Sequence, residues 1–198
     1  KTLSLLSQQS RQPKRVILVN SSSTDNSSSV IDDWILRNQP ELKTKYDNFF
    51  QKTNTPSSSK NVGIRFTETQ WIAFMDCGLV FAKNWLESQW DYVNKQNIDL
   101  SFGQVVGVGQ GVIDSAATAL TYGIGKPKMC VPGTLVKKSV FDITGYFLED
   151  RRAGYDLGWR LLVEKININY GVNNALYVQY DEATVAAGFY GIAMKSFH

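Results

Sequence analysis

The stretch WIAFMDCGLVFAKNW, Trp71 to Trp85, limits the folds open to this chain more than any other. An apolar run of β-type residues stops at Asp76, and Gly78 follows two residues later. A helical pattern then opens at Asn84, with Glu87 three residues on, the spacing of a capping box. Leu86, Trp90 and Val93 form the expected core stripe of that helix. Open α/β sheets bind ligands in the crevice beyond the carboxyl ends of their strands, so an acid at a strand tip is well placed for chemistry.

The chain on either side repeats the strand, loop, helix order. Leu3, Leu5 and Leu6, followed by polar SQQS and the breaker Pro13, read as the end of a short helix. RVILVN, Arg15 to Asn20, has the β-branched, continuously apolar character of a covered parallel strand. The polar cluster SSSTDNSSS then leads into a helix striped by Val30, Ile31, Trp34 and Ile35, with Ser28 or Ser29 as N-cap and Asp32 and Asp33 in its first turn. A short strand is expected near Leu42 to Tyr46, and SSSKNVGIRF predicts a second serine-capped helix burying Val62 and Phe66. Leu100 to Val108 is the next strand, carrying glycines that fit a bulge or a loop. PGTLVKKSVFDITGYF reads as a strand running into a short helix stopped by Gly145. GYDLGWRLLVEK is a helix with Asp156 in its first turn and Leu157 and Leu161 on one face, and ININYGV and LYVQYDEATVAA alternate as strands. These elements predict one α/β domain over residues 1–198, a mostly parallel central sheet with helices on both faces.

Composition narrows the function. A net charge of +3, with both signs dispersed and no like-charge block, argues against nucleic-acid binding. Cys77 and Cys130 match no metal spacing, and the single histidine, His198, is terminal, so a Ser/His/Asp arrangement and a zinc site both lack ligands. SFGQVVGVGQG is not a dinucleotide fingerprint, because no strong helix and spaced acid follow it. No transmembrane segment is expected, which favours a soluble, cytoplasmic chain, and the start at Lys1 inside a helix-like segment suggests that sequence once preceded it. Three polar spots fall on one expected sheet edge: the serine loop after Asn20, the DCG turn and Asp156. Each also has a plain structural role: the serines and Asp25 as helix caps, Asp76 as a loop acid, Asp156 as a first-turn acid favoured by the helix dipole.

The order of these motifs resembles a family 2 glycosyltransferase of the GT-A type, from SLLSQQ through VILVNSSSTDNS, SSSKNVGI, WIAFMDCGLVFAKNWLE and LVKKSVFDITGYF to AGYDLGWRL. The resemblance implies an inverting transfer of a sugar from a nucleotide-diphosphate sugar to a saccharide or other hydroxyl acceptor, in polysaccharide or glycan assembly. It divides the domain into a nucleotide-sugar-binding half, 1–95, and an acceptor-side half, 96–198, and implies that the family's first strand is missing upstream of KTLSLLSQQ. It assigns donor binding to Asn20, Ser21, Ser22, Asp25, Lys60, Asn61, Asp76 and Gly78, a divalent metal, Mn or Mg, to Asp76, and the base that deprotonates the acceptor to Asp156. The chain departs from the family pattern at Asn20 and Ser21, where two acids are usual, at Gly78, which replaces the last acid of the DxD turn, and at Tyr155, where an acid usually precedes the base. A non-catalytic relative that retains nucleotide-sugar or glycan binding is the alternative.

Overall fold

The computed structural model describes residues 1–21, 23–50, 55–107, 126–150 and 154–180. Their order is α1 Thr2–Ser7, β1 Arg15–Asn20, α2 Ser27–Asn38, β2 Lys45–Phe50, α3 Pro56–Phe66, β3 Trp71–Ala73, β4 Leu79–Val80, α4 Trp85–Gln96, β5 Leu100–Val106, β6 Lys128–Lys137, α5 Val140–Thr144, α6 Tyr155–Lys165, β7 Tyr170–Val172 and β8 Val178–Tyr180. Among these residues no helix is long and apolar enough to cross a membrane.

β1 and β2 pair in parallel as a two-stranded sheet. The larger sheet runs β3-β6-β5-β8-β4, with β7 also on β5. It is mixed where a mostly parallel sheet was expected: β5 runs parallel to β7 and β8, while β6 is antiparallel to both β3 and β5, and β4 to β8. The ten-residue β6 is the cause, because it sits between β3 and β5 and runs against both.

Alternation along the strands divides the apolar side chains between two cores, since successive residues point to opposite faces. Ile72 on β3, Leu100 and Phe102 on β5 and Val136 on β6 face one side, where they meet Ile64 of α3, Val140 and Phe141 of α5, and Trp159 and Val163 of α6. Trp71, Leu135 and Val105 face the other, against Leu5 and Leu6 of α1 and Trp85, Leu86 and Val93 of α4. The sheet is therefore covered on both faces. The alternation runs unbroken along β5, whereas β6 carries the extra residues of a bulge, a register shift between Ser101 and Gly103 that leaves Val131 and Val136 on the same core. A Cβ at Gly103 would lie 2.0 Å from the Pro132 carbonyl oxygen, so glycine is required for this approach. The polar groups buried at the bulge are matched: the Gly103 N–H donates to Thr134 Oγ1 at 2.9 Å, Ser101 Oγ to Gln89 Oε1 at 2.8 Å, and Gln89 Nε2 to the Gly133 carbonyl at 2.9 Å.

Several local expectations are corrected. α2 begins at Ser27, so Ser28 and Ser29 lie inside it; the Asp25 carboxylate accepts the Ser27 N–H at 2.9 Å and initiates the turn instead. α3 is capped by Thr55, whose Oγ1 accepts from the Ser58 N–H, with Pro56 in its first turn. Phe66 at its end is exposed and stacks on Phe49 at 4.6 Å. The second strand lies at Lys45–Phe50, beyond a 3₁₀ turn Gln39–Glu41. At α4 the Glu87 carboxylate takes the Ser10 hydroxyl at 2.6 Å rather than closing a capping box, while Gln9 Oε1, from the segment after α1, accepts the Leu86 N–H at 3.0 Å. On α6, Leu157 and Leu161 face outward; Trp159 and Val163, also four residues apart, are buried. Gly145, at φ 71, ends α5 as expected.

Candidate functional site

β3 delivers Asp76. Beyond Ala73 its pairing with β6 continues, since the Phe74 N–H donates to the Thr134 carbonyl at 2.9 Å and the Gly133 N–H to the Phe74 carbonyl at 2.7 Å. The chain then turns through Gly78, at φ 82, a conformation that favours glycine. The Gly78 N–H donates to Thr2 Oγ1 at 3.1 Å, so the turn rests on α1.

Both oxygens of Asp76 are engaged. Lys60 Nζ, from α3, donates to Oδ1 at 2.6 Å, and the Tyr180 hydroxyl at the end of β8 donates to Oδ2 at 3.2 Å. The Lys60 side chain is 11% exposed and that of Asp76 29%, so the pair is sheltered but open on the acid's side. Burial alone would lower the Lys60 value; the Asp76 carboxylate and then Tyr155 outweigh it and hold the ammonium above its ordinary range. The same ammonium lies 5.7 Å from the centroid of the Tyr155 ring.

Tyr155 and Asp156 open α6, which Trp159 and Val163 fasten to the first core. Burial, foremost, pushes the Tyr155 phenol up, with Lys60 pulling against it and both Asp76 and Asp156 adding to the rise. The Cys130 thiol on β6 is raised by burial and then by the Asp156 and Asp76 carboxylates. Two groups thus feel both acids, which puts Asp76, Lys60 and Asp156 in one electrostatic neighbourhood. Asp156 accepts the Leu157 N–H at 2.9 Å and lines a cleft of ≈ 220 Å³ with Phe102, Lys128, Met129, Cys130, Leu157 and Arg160.

The other expected site residues are placed less uniformly. Ser21 hydrogen-bonds to Ser59, which brings the tip of β1 against the turn of α3 that carries Lys60. Asn20 is buried; its Oδ1 accepts the Ser23 N–H at 3.0 Å, and its Nδ2 has no hydrogen-bond partner among the described residues. Ser22 lies outside the described residues, as does His198. Asp25 sits at the surface before α2, its carboxyl held below the usual range by the Ser27 side chain and N–H. Asn61 is turned away from Asp76 and fully occupied: its Nδ2 donates to the Phe147 carbonyl and to Glu149 Oε1, both at 2.8 Å, and its Oδ1 accepts the Phe147 N–H at 3.0 Å. Sequence reasoning missed Tyr180 and Thr2, which no motif marks; only the β4/β8 pairing, with Tyr180 opposite Leu79, and the docking of α1 bring them to the turn.

The divalent metal implied by the resemblance does not fit this donor set. Among the described residues no three His, Cys, Asp or Glu side chains come together. Asp76 offers one carboxylate with an ammonium already on it, Gly78 offers no side chain, and hard cations require several oxygen ligands.

These elements define an α/β fold, and residues 1–149 match the model of Glycosyl transferase family 2; the chain belongs to that family. No curated protein matches. Among solved structures, TarS of S. aureus is similar in fold. Residues 1–349 of TarS in complex with UDP-GlcNAc align with TM-score 0.67 at 19% identity, covering 91% of this chain and 53% of that one. The uncomplexed 1–349 structure gives 0.66 at 19% identity, covering 96% and 57%, and a further TarS structure gives 0.65 at 19%, covering 90% and 33%. The chain thus spans between a third and just over half of those structures.

Proposed function

We propose that this chain is the catalytic domain, or the greater part of it, of an inverting glycosyltransferase that takes a sugar from a nucleotide-diphosphate donor. The observation that carries the reading is the Lys60–Asp76 pair at the tip of β3, in the same electrostatic neighbourhood as Asp156 at the start of α6. Its family and its likeness to the structure of TarS in complex with UDP-GlcNAc support the donor class.

The serine loop at Asn20 and Ser21 receives the nucleoside, Asp76 and Lys60 the ribose and diphosphate, and the cleft at Asp156 the acceptor. Asp156 takes the proton of the acceptor hydroxyl as that oxygen attacks the anomeric carbon, and the nucleoside diphosphate departs from the opposite face. Asn61 contributes by fastening residues 147–149, which lead into α6, rather than by touching the donor. Assembly of a polysaccharide or glycan, and transfer of a hexosyl group, belong to this same proposal.

Asp156→Asn separates this reading from a domain that binds donor without turning it over. Expected is a loss of transfer of 10²-fold or more, in the range of general-base removal, with donor affinity unchanged. Transfer that survives the substitution removes Asp156 as the base, and a wild-type chain that binds donor without transfer supports the non-catalytic reading.

A further inference from the structure

We propose that Lys60 supplies the positive charge for the donor's diphosphate, so that this chain binds its nucleotide without a divalent cation. The proposal rests on the nucleotide-sugar reading above and concerns how the same site meets the donor's charge.

Three observations carry it. The turn that should present a metal holds one acid, because Gly78 contributes only a backbone N–H, and that N–H is committed to Thr2. Both oxygens of that acid are already satisfied, one by an ammonium at 2.6 Å and one by the Tyr180 hydroxyl at 3.2 Å. A cation settling on Asp76 would have to displace a sheltered ammonium and then stand beside it, a like-charge contact that burial makes worse. The third observation is position. Ser59, next to Lys60, touches Ser21 at the tip of β1, while Lys60 itself reaches the turn after β3. The first turns of α3 therefore touch both the loop assigned to the nucleoside, through Ser59, and the acid assigned to the ribose and diphosphate, through Lys60.

The chemistry is self-consistent. An ammonium has three donors; Asp76 Oδ1 takes one and the Tyr155 phenol is a second partner, which leaves an N–H for a phosphate oxygen. Lysine binds phosphate as a point charge and needs no fixed fork geometry. Asp76 and the Tyr155 ring keep Lys60 charged and aimed, so its role as a resident cation does not depend on pH near neutrality. No covalent step is involved; the ammonium offsets the charge that gathers on the leaving diphosphate.

Calorimetric titration of the wild-type chain with UDP, GDP, CDP and dTDP, in EDTA and in 2 mM-scale Mn²⁺, about 10³ times a micromolar Kd, tests this directly. Expected is a preferred nucleotide whose Kd agrees within about twofold between the two conditions, rises at least tenfold in Lys60→Met and stays near the wild-type value in Lys60→Arg. A tenfold or larger gain on adding Mn²⁺ to the wild type overturns the proposal while leaving the donor reading intact. Undiminished binding by folded Lys60→Met also overturns it. Nucleotides that fail to bind in either condition overturn the donor reading and this assignment with it. The wild-type comparison needs no variant, so it stands even if Lys60→Met does not fold.

Discussion

Lys60 and Asn61 read in the sequence as one dipeptide with one purpose, yet helix geometry assigns them opposite tasks. Neighbouring residues on a helix do not share a face. Lys60 therefore points to Asp76, and Asn61, 1% exposed, points inward to hold residues 147–149. Asn61→Leu removes three hydrogen bonds and strands the Phe147 N–H and carbonyl, so a loss of about 1–3 kcal/mol in urea denaturation is expected, with lowered transfer because the approach to α6 loosens. Gly103→Ala is expected to cost more than the ~1 kcal/mol typical of point substitutions, since its Cβ would meet backbone atoms of Pro132 and Gly133 that cannot swing aside. Equal urea midpoints for Gly103→Ala and wild type would refute that account of the bulge. At this scale the positions of the acids were legible because each marks an element boundary: Asp76 ends an apolar run and Asp156 opens a helix. Tyr180 was not, since it lies 104 residues from Asp76 and meets it through strand pairing alone.

At the scale of elements, most were readable from periodicity, and the errors cluster at caps and helix faces. The Asn84 to Glu87 spacing is that of a capping box, but a tertiary partner took its place: Gln9 Oε1 accepts the Leu86 N–H, and its Nε2 donates to the Ala82 carbonyl at 2.9 Å. Gln9→Ala should therefore destabilise α4 by about 1 kcal/mol, the usual worth of an N-cap, and free α1 from it, which faster amide exchange in Thr2–Ser7 would report. The buried face of α6 departs from the leucine pattern because Trp159, stacked on Phe141 at 5.3 Å, is the larger anchor. The β1/β2 pair carries its own electrostatic lock. Burial opposes the charge on Asp47, but Arg15 at 2.6 Å and Lys45 at 3.2 Å outweigh it and lower its value. A carboxyl depressed on folding contributes stability that is present above its unfolded value of about 3.9 and is lost as pH falls through the folded one. Acid below about pH 4 should loosen this pair in the wild type more than in Asp47→Asn, as read from fluorescence of Trp34, which packs on Tyr46 at 5.0 Å.

At the scale of the whole molecule, two cores on the faces of one mixed sheet bring residues from α1, α3, the β3 turn, α6 and β8 to a single edge. The strand and helix order gave away the α/β class and the family; the antiparallel insertion of β6 and the separate β1/β2 sheet depend on pairing partners that no local pattern encodes. The central claim is that this edge binds a nucleotide sugar through Asp76. Thermal unfolding with a panel of nucleotide-diphosphate sugars measures it. A preferred donor at 100 times its Kd should add about 2.7 kcal/mol, a rise in Tm of roughly 5–10 °C. That rise should persist in Asp156→Asn and vanish in Asp76→Ala. A Tm that no nucleotide sugar moves, or one that moves equally in Asp76→Ala, would contradict the account.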